Sequence, residues 1–151
     1  MKKLTEYIDK KGGAKMKNAV IIGGGAAGLM AAYFAAEKYP ECSVTVIEKN
    51  ERPARKLMIT GKGRCNVTNN CDLDMLIKNT PKNGRFLYSA FSAFSSQDTI
   101  DFFENNGVRL KTERGNRVFP VSDKAVDIVD ALVKAVKKNG PYYALFHHSY
   151  Q

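Results

Sequence analysis

Apolar and polar positions alternate in type along the chain, and the changes in pattern mark its elements. Residues 18–23, apolar from Ala19 to Ile22, predict a fully buried strand. Residues 26–38 carry Ala and Leu on one packed side, with Glu37 and Lys38 near the end, and predict a helix. "YPEC" is a turn, and residues 43–48, "SVTVIE", are β-branched and predict a second strand. A strand, a helix and a strand in about thirty residues form a βαβ unit, so the two strands should be parallel.

The pattern weakens after residue 50 and then recovers. "PARKLMITGKGRCNVTNN" reads as an irregular loop rich in Gly and Asn. Residues 85–94, "RFLYSAFSAF", predict a short aromatic helix, and a further helix starts near Ser96 and ends at Gly107, placed for a left-handed C′ residue. "VRLKTERGNRVFP" predicts a hairpin that turns at Gly115-Asn116. Residues 123–138 predict the clearest helix, with Ser122 as N-cap. Its apolar stripe is Ala125, Ile128, Val129, Leu132, Val133 and Val136, and Lys137 and Lys138 complement its carboxyl end. A partner for that stripe is expected to lie partly outside this chain.

Composition narrows the class. The chain of 151 residues is 44% hydrophobic and 26% charged, the balance of one soluble globular domain. Its net charge of +9 is local: residues 1–17 contribute +4 and residues 49–64 contribute +5. Two local clusters without a recognition motif argue against a nucleic-acid-binding protein. Cys42, Cys65 and Cys71 form no CxxC pair, so free thiols, no metal site and a cytoplasmic location are expected. Cys65 reads as a small buried residue rather than a redox thiol. The start lacks a secretory h-region, and residues 20–36 are too short for a membrane span, so no membrane partner is expected.

The sharpest chemistry lies in "GGGAAG". Gly23, Gly25 and Gly28 stand as G-x-G-x-x-G between strand and helix. Gly23 permits the tight turn, Gly25 lets a pyrophosphate approach the backbone, and Gly28 lets the helix pack close to the strand. Ala26 and Ala27 complete the helix start, whose N–H groups favour an anion. Glu48 closes the second strand, where a carboxylate can accept from both ribose hydroxyls of an adenosine and repel a 2′-phosphate; Lys49 follows it. The spacing alone leaves FAD and NAD open, because both present the same ADP half.

"ERPARKLMITGKGRCNVTN" at residues 51–69, together with "GGGAAGLMAA", "IEK" and the later "GNRVFPVSDKAVDIVDAL", resembles a family of bacterial FAD-dependent flavoproteins. These are described as BaiN-type NAD(P)/FAD-dependent oxidoreductases or aminoacetone oxidase-family FAD-binding enzymes. The resemblance runs from about Lys17 to Gly140. It implies an α/β fold: a Rossmann-type parallel βαβ FAD-binding domain, incomplete here, with the start of an inserted α+β segment. It also implies FAD as cofactor, with NAD(P)H as electron donor in a complete member, and a small-molecule substrate.

In that setting Lys56, Gly61, Gly63, Arg64 and Asn66 line the flavin side. Lys56 and Arg64 can neutralise pyrophosphate or an anionic reduced flavin. Asn66, Thr68 and Asn69 either meet the isoalloxazine edge or satisfy their own loop backbone. No catalytic acid or base is named by these motifs.

The ends stand apart. Residues 1–16 read as a polar extension, with Met1 or Met16 as the start, and residues 17–140 as the FAD-binding domain. Residues 141–151, "PYYALFHHSYQ", show neither alternation nor a helical stripe and read as an unmatched tail, as a frameshift or early stop leaves. His147 and His148 have no neighbouring carboxylate or cysteine to support a metal or general-base role. A truncated chain of this kind is expected to retain little FAD, to lack turnover, and to associate through uncovered apolar surface.

Overall fold

The computed structural model describes residues 17–138 and the backbone of residues 142–146. Strands β1 (Lys17–Ile22) and β2 (Cys42–Glu48) pair in parallel, with Lys17 opposite Cys42 and Ile22 opposite Ile47. Helix α1 (Ala26–Lys38) makes the crossover between them, with the bounds that the pattern predicts. Its buried Leu29, Ala32 and Ala36 share one core with Val44 and Val46 of β2.

Beyond the crossover lies a second layer. A short helix, α2 (Arg55–Ile59), and a 3-10 turn (Thr60–Gly63) occupy the segment expected to be an irregular loop. Strand β3 (Thr68–Asn69) follows, then α3 (Leu73–Lys78), which the pattern did not foresee and which Asp72 caps. The aromatic segment forms a 3-10 turn over Gly84–Leu87 and then α4 (Tyr88–Ala93). Helix α5 (Ser96–Asn105) opens on a reciprocal capping box between Ser95 and Asp98. It closes as expected on Gly107 at φ +87, with Gly107 N–H donating to the Glu104 carbonyl and Val108 N–H to that of Phe103. Strands β4 (Leu110–Glu113) and β5 (Arg117–Pro120) form the expected hairpin. With β3 they make an antiparallel sheet in the order β3-β5-β4.

Helix α6 (Ala125–Lys138) begins two residues later than predicted. Asp123 takes a left-handed φ of +57, and the Ser122 hydroxyl accepts from Lys124 N–H at 3.3 Å. Ser122 therefore serves the turn before the helix rather than capping it. The apolar stripe of α6 packs against α1, α2 and α5, so this chain supplies partners for most of it. Val133 is the exception, being only half-buried.

Strand β6 (Tyr142–Phe146) pairs in parallel with the other side of β2, Val44 opposite Tyr142 and Glu48 opposite Phe146. The sheet order is β1-β2-β6. The tail expected to fall outside the fold thus supplies a strand. Strands of parallel sheets need no alternation, so its absence carried no weight, whereas a Tyr-Tyr-Ala-Leu-Phe run has β-propensity. The polar extension of residues 1–16 and the pair His147 and His148 lie outside the described residues. Among the described residues no helix is long and apolar enough to cross a membrane.

Candidate nucleotide-binding site

The glycine turn is built where β1 ends. Gly23 adopts φ +97, a backbone conformation that side-chain-bearing residues rarely take, and its N–H donates to the Ile47 carbonyl at 2.7 Å. Gly28 faces the same turn from inside α1, where a Cβ would lie 1.9 Å from the Gly23 carbonyl oxygen. Helix and strand therefore touch through bare backbone. Gly25 differs from both. It is extended, and a Cβ built on it meets nothing within 4 Å.

The open space before Gly25 adjoins an uncapped helix end. Gly25 is the N-cap of α1, no side chain caps the helix, and no acid sits in its first turn. The Gly25 carbonyl accepts the Leu29 N–H at 2.9 Å. The amides of Ala26, Ala27 and Gly28 precede that bond and project from the positive end of the helix.

Glu48 is 8% exposed at the end of β2. Its Oε2 accepts from Gly24 N–H at 2.7 Å, and its Oε1 from Asn50 N–H at 2.8 Å and Asn50 Nδ2 at 2.6 Å. The Asn50 backbone bond does most to hold the carboxyl below its ordinary range. Burial pushes the other way, and the Gly24 N–H and the Asn50 amide add to the lowering. The Lys49 N–H adds a weaker contribution in the same direction. The carboxylate is thus held ionised at the strand end, beside the glycine turn. A groove of about 660 Å³ opens beside Glu48, lined by Lys49, Arg52 and Arg55 and by apolar Met58, Val126 and Val129.

Gly24 is the residue that sequence spacing missed. Its N–H holds Glu48, its carbonyl accepts Ala54 N–H at 2.7 Å, and a Cβ there would press on Glu48 and Pro53 at 3.2 Å. The middle glycine of "GGG" was its signal. Asn50 was missed as well, although an Asn just after a strand-ending acid is a familiar turn-former.

The second half of the expected site is arranged differently. Gly61 (φ +56) and Gly63 (φ +84) are left-handed, and Lys56 is exposed on α2. A Cβ on Gly61 would crowd Asn66 N at 3.0 Å and the Phe119 ring at 3.1 Å, so this glycine serves packing of its own loop. In the orientation its surroundings favour, the Asn66 amide nitrogen donates to the carbonyls of Thr68 (2.9 Å) and Val118 (3.1 Å). Thr68 bonds Ser96, and Asn69 bonds the Gly115 carbonyl. All three satisfy the protein's own polar groups.

Arg64 has partners of its own within the chain. Its guanidinium donates to Glu113 at 2.9 Å and Asp123 at 3.2 Å and stacks 4.1 Å above the Phe119 ring. Lys111 joins the same two acids, at 2.7 Å from Asp123 and 3.5 Å from Glu113. Arg64 is thus paired with two acids of this chain in a partly exposed cluster.

Cys65 is buried, as expected, although at a left-handed φ of +61; burial pushes its thiol up, against a weaker bond from Thr60. Ala26 of α1 and Asn66 of the loop meet at one cavity of about 190 Å³, otherwise mostly apolar. It is the place where the glycine-turn helix and the second motif come together.

Similarity to known proteins agrees with this architecture. The family described as "HI0933-like protein Rossmann domain" matches residues 17–148. A 3-dehydro-bile acid delta(4,6)-reductase of Clostridium scindens is 32% identical over 124 residues, which is 82% of this chain and 29% of that protein. A ribosomal RNA dihydrouridine synthase of Escherichia coli is 31% identical over 131 residues, 85% of this chain and 31% of that one. The open conformation of a flavocytochrome c3 fumarate reductase shares the fold, with a TM-score of 0.55 at 22% identity, covering 95% of this chain and 29% of that one. The chain spans about three-tenths of the length of these curated relatives.

Proposed function

The chain belongs to the HI0933-like protein family, in its Rossmann domain, and we propose that it holds the ADP half of FAD in an FAD-dependent oxidoreductase. One observation carries this reading: an open, uncapped helix start at Gly25 stands beside a buried, charged Glu48 on the neighbouring strand.

The residues present fit that group. The amides of Ala26, Ala27 and Gly28 face the pyrophosphate, which the helix dipole favours. Glu48 accepts from the ribose hydroxyls of the adenosine and repels a 2′-phosphate. The groove at Lys49 takes the base against Val126 and Val129. Preference for FAD over NAD rests on the resemblance of residues 51–69. Gly61 and Gly63 keep that loop close to the flavin side, with Lys56 free to approach it. When bound, flavin supplies hydride acceptance and donation; the chain supplies binding and orientation. NAD(P)H is the electron donor proposed for the complete protein. The two relatives are named for unlike substrates, a bile acid and ribosomal RNA, so neither is carried over.

A second reading is a chain that binds adenine nucleotide without turnover. It is favoured by Arg64, Asn66 and Asn69, whose polar groups are already satisfied within the protein. Equilibrium dialysis against FAD, NAD and NADP, followed by an NADH-oxidation assay with FAD present, separates the two. Saturable FAD binding displaced by ADP is expected. Tighter binding of NADP than of FAD contradicts the proposal, and binding without NADH oxidation favours the second reading.

A further inference from the structure

One residue grips the recognition carboxylate twice. Asn50 donates to Glu48 Oε1 from both its backbone N–H (2.8 Å) and its side-chain Nδ2 (2.6 Å), while Gly24 N–H holds Oε2 from the opposite side. The Asn50 amide is itself oriented, since its Oδ1 accepts from Arg55 Nη1 at 3.5 Å. Gly24 is fixed in turn by Ala54, which donates to its carbonyl. A chain of bonds thus runs from Arg55 through Asn50 and Glu48 to the glycine turn.

We propose that Asn50 is a positioning residue for nucleotide recognition, fixing the plane of the Glu48 carboxylate before any ligand arrives. This rests on the reading of the glycine turn and Glu48 as an ADP site. The terminal torsion of a glutamate is broad and roughly two-fold, so a carboxylate without such donors samples many orientations. Donors on both oxygens remove that freedom in advance, and binding then costs less ordering. The same donors keep a buried carboxylate ionised, where burial alone would favour its neutral form.

The charges around this cluster are of both signs, and none of them shifts the Glu48 carboxyl. Lys49, Glu51 and Arg52 lie on the same loop, Arg55 opens α2, and Asp130 of α6 lines the same groove. From the β1 side the contact is the backbone of Gly24, which carries no charge. The local bonds to Asn50, rather than a neighbouring ion, therefore govern the carboxylate.

The test uses the full chain, with the Glu48 carboxyl titration read by carbon-13 NMR and ADP affinity read by calorimetry across pH. Asn50→Ala removes one donor from Oε1. It is expected to move the Glu48 midpoint upward and to weaken ADP about tenfold at neutral pH, with the deficit growing as the pH falls. Asn50→Asp sets a second carboxyl against Oε1. ADP affinity in that variant is expected to be poorest at alkaline pH and to recover in mild acid, where one shared proton restores a donor. Wild-type affinity should not rise in that direction. A role in loop stability alone does not produce that inverted profile.

If Asn50→Ala leaves the Glu48 midpoint unchanged, the proposal is overturned, and it is equally overturned if ADP binds wild type and both variants alike. Failure of wild type to bind ADP removes the ADP reading, while the ligand-free titration still decides whether Asn50 governs Glu48. Asn50→Asp, close in size to the native residue, supplies that titration if Asn50→Ala does not fold.

Discussion

Gly25 and Gly28 stand three positions apart, yet a methyl group has opposite consequences on them. On Gly28 it collides with the Gly23 carbonyl at 1.9 Å, so α1 must move off the strand. Gly28→Val is expected to lower stability by about 1–3 kcal/mol or more, measured by urea unfolding. On Gly25 a Cβ meets nothing within 4 Å, so Gly25→Val should keep the fold, with an unfolding midpoint close to that of wild type. Glu48 adds a pH-dependent contribution. Its folded carboxyl sits below the ordinary value, so its stabilisation is complete above the unfolded value and is lost as the pH falls through the depressed folded one. Glu48→Gln should remove that part of the acid dependence. It should also weaken nucleotide binding by about 1–3 kcal/mol, as loss of a charged hydrogen-bond acceptor does. These residues were legible because each constraint acts within one βαβ unit. Arg64 was not. Its acids lie 49 and 59 positions away, and spacing along the chain carries no trace of them.

Elements were legible wherever one face was apolar at a regular period. Helix α1 has the predicted bounds, and the Ser95 and Gly107 ends of α5 follow their local signals. The start of α6 was misplaced because a left-handed Asp123, tied to Lys111 and Arg64, breaks the chain just after a good capping residue. The same ion cluster secures the 60–66 turn to the hairpin. Glu113 and Asp123 are held below their ordinary carboxyl values by their bonds to Arg64 and Lys111. Their contribution is therefore present at neutral pH and lost in acid, as the pH falls through those depressed values. High salt should also weaken these half-exposed pairs. Arg64→Lys keeps the charge but loses the planar fork and the stack on Phe119. Faster amide exchange across residues 60–66 is expected in that variant, and again in wild type at high salt. Unchanged protection there means that the cluster does not hold the turn.

The whole molecule combines a covered helical face with an exposed outer strand. Strand β1 ends the order β1-β2-β6, and Ile22 and Val20 on it are 86% and 60% exposed. Such a strand invites pairing with another chain. Sedimentation velocity is expected to show concentration-dependent association that Ile22→Lys reduces. The parallel architecture was legible from a single crossover, whereas β6 was not, because its strand lacks any alternation to find. Flavin binding at the glycine turn is the central claim. The measurement that meets it most directly is the fluorescence anisotropy of FAD titrated with this chain and with Gly25→Val, whose fold should be unaltered. Wild type should raise the anisotropy saturably and ADP should reverse it, while Gly25→Val should leave FAD free. Equal binding by the two proteins, or none that ADP displaces, contradicts the account.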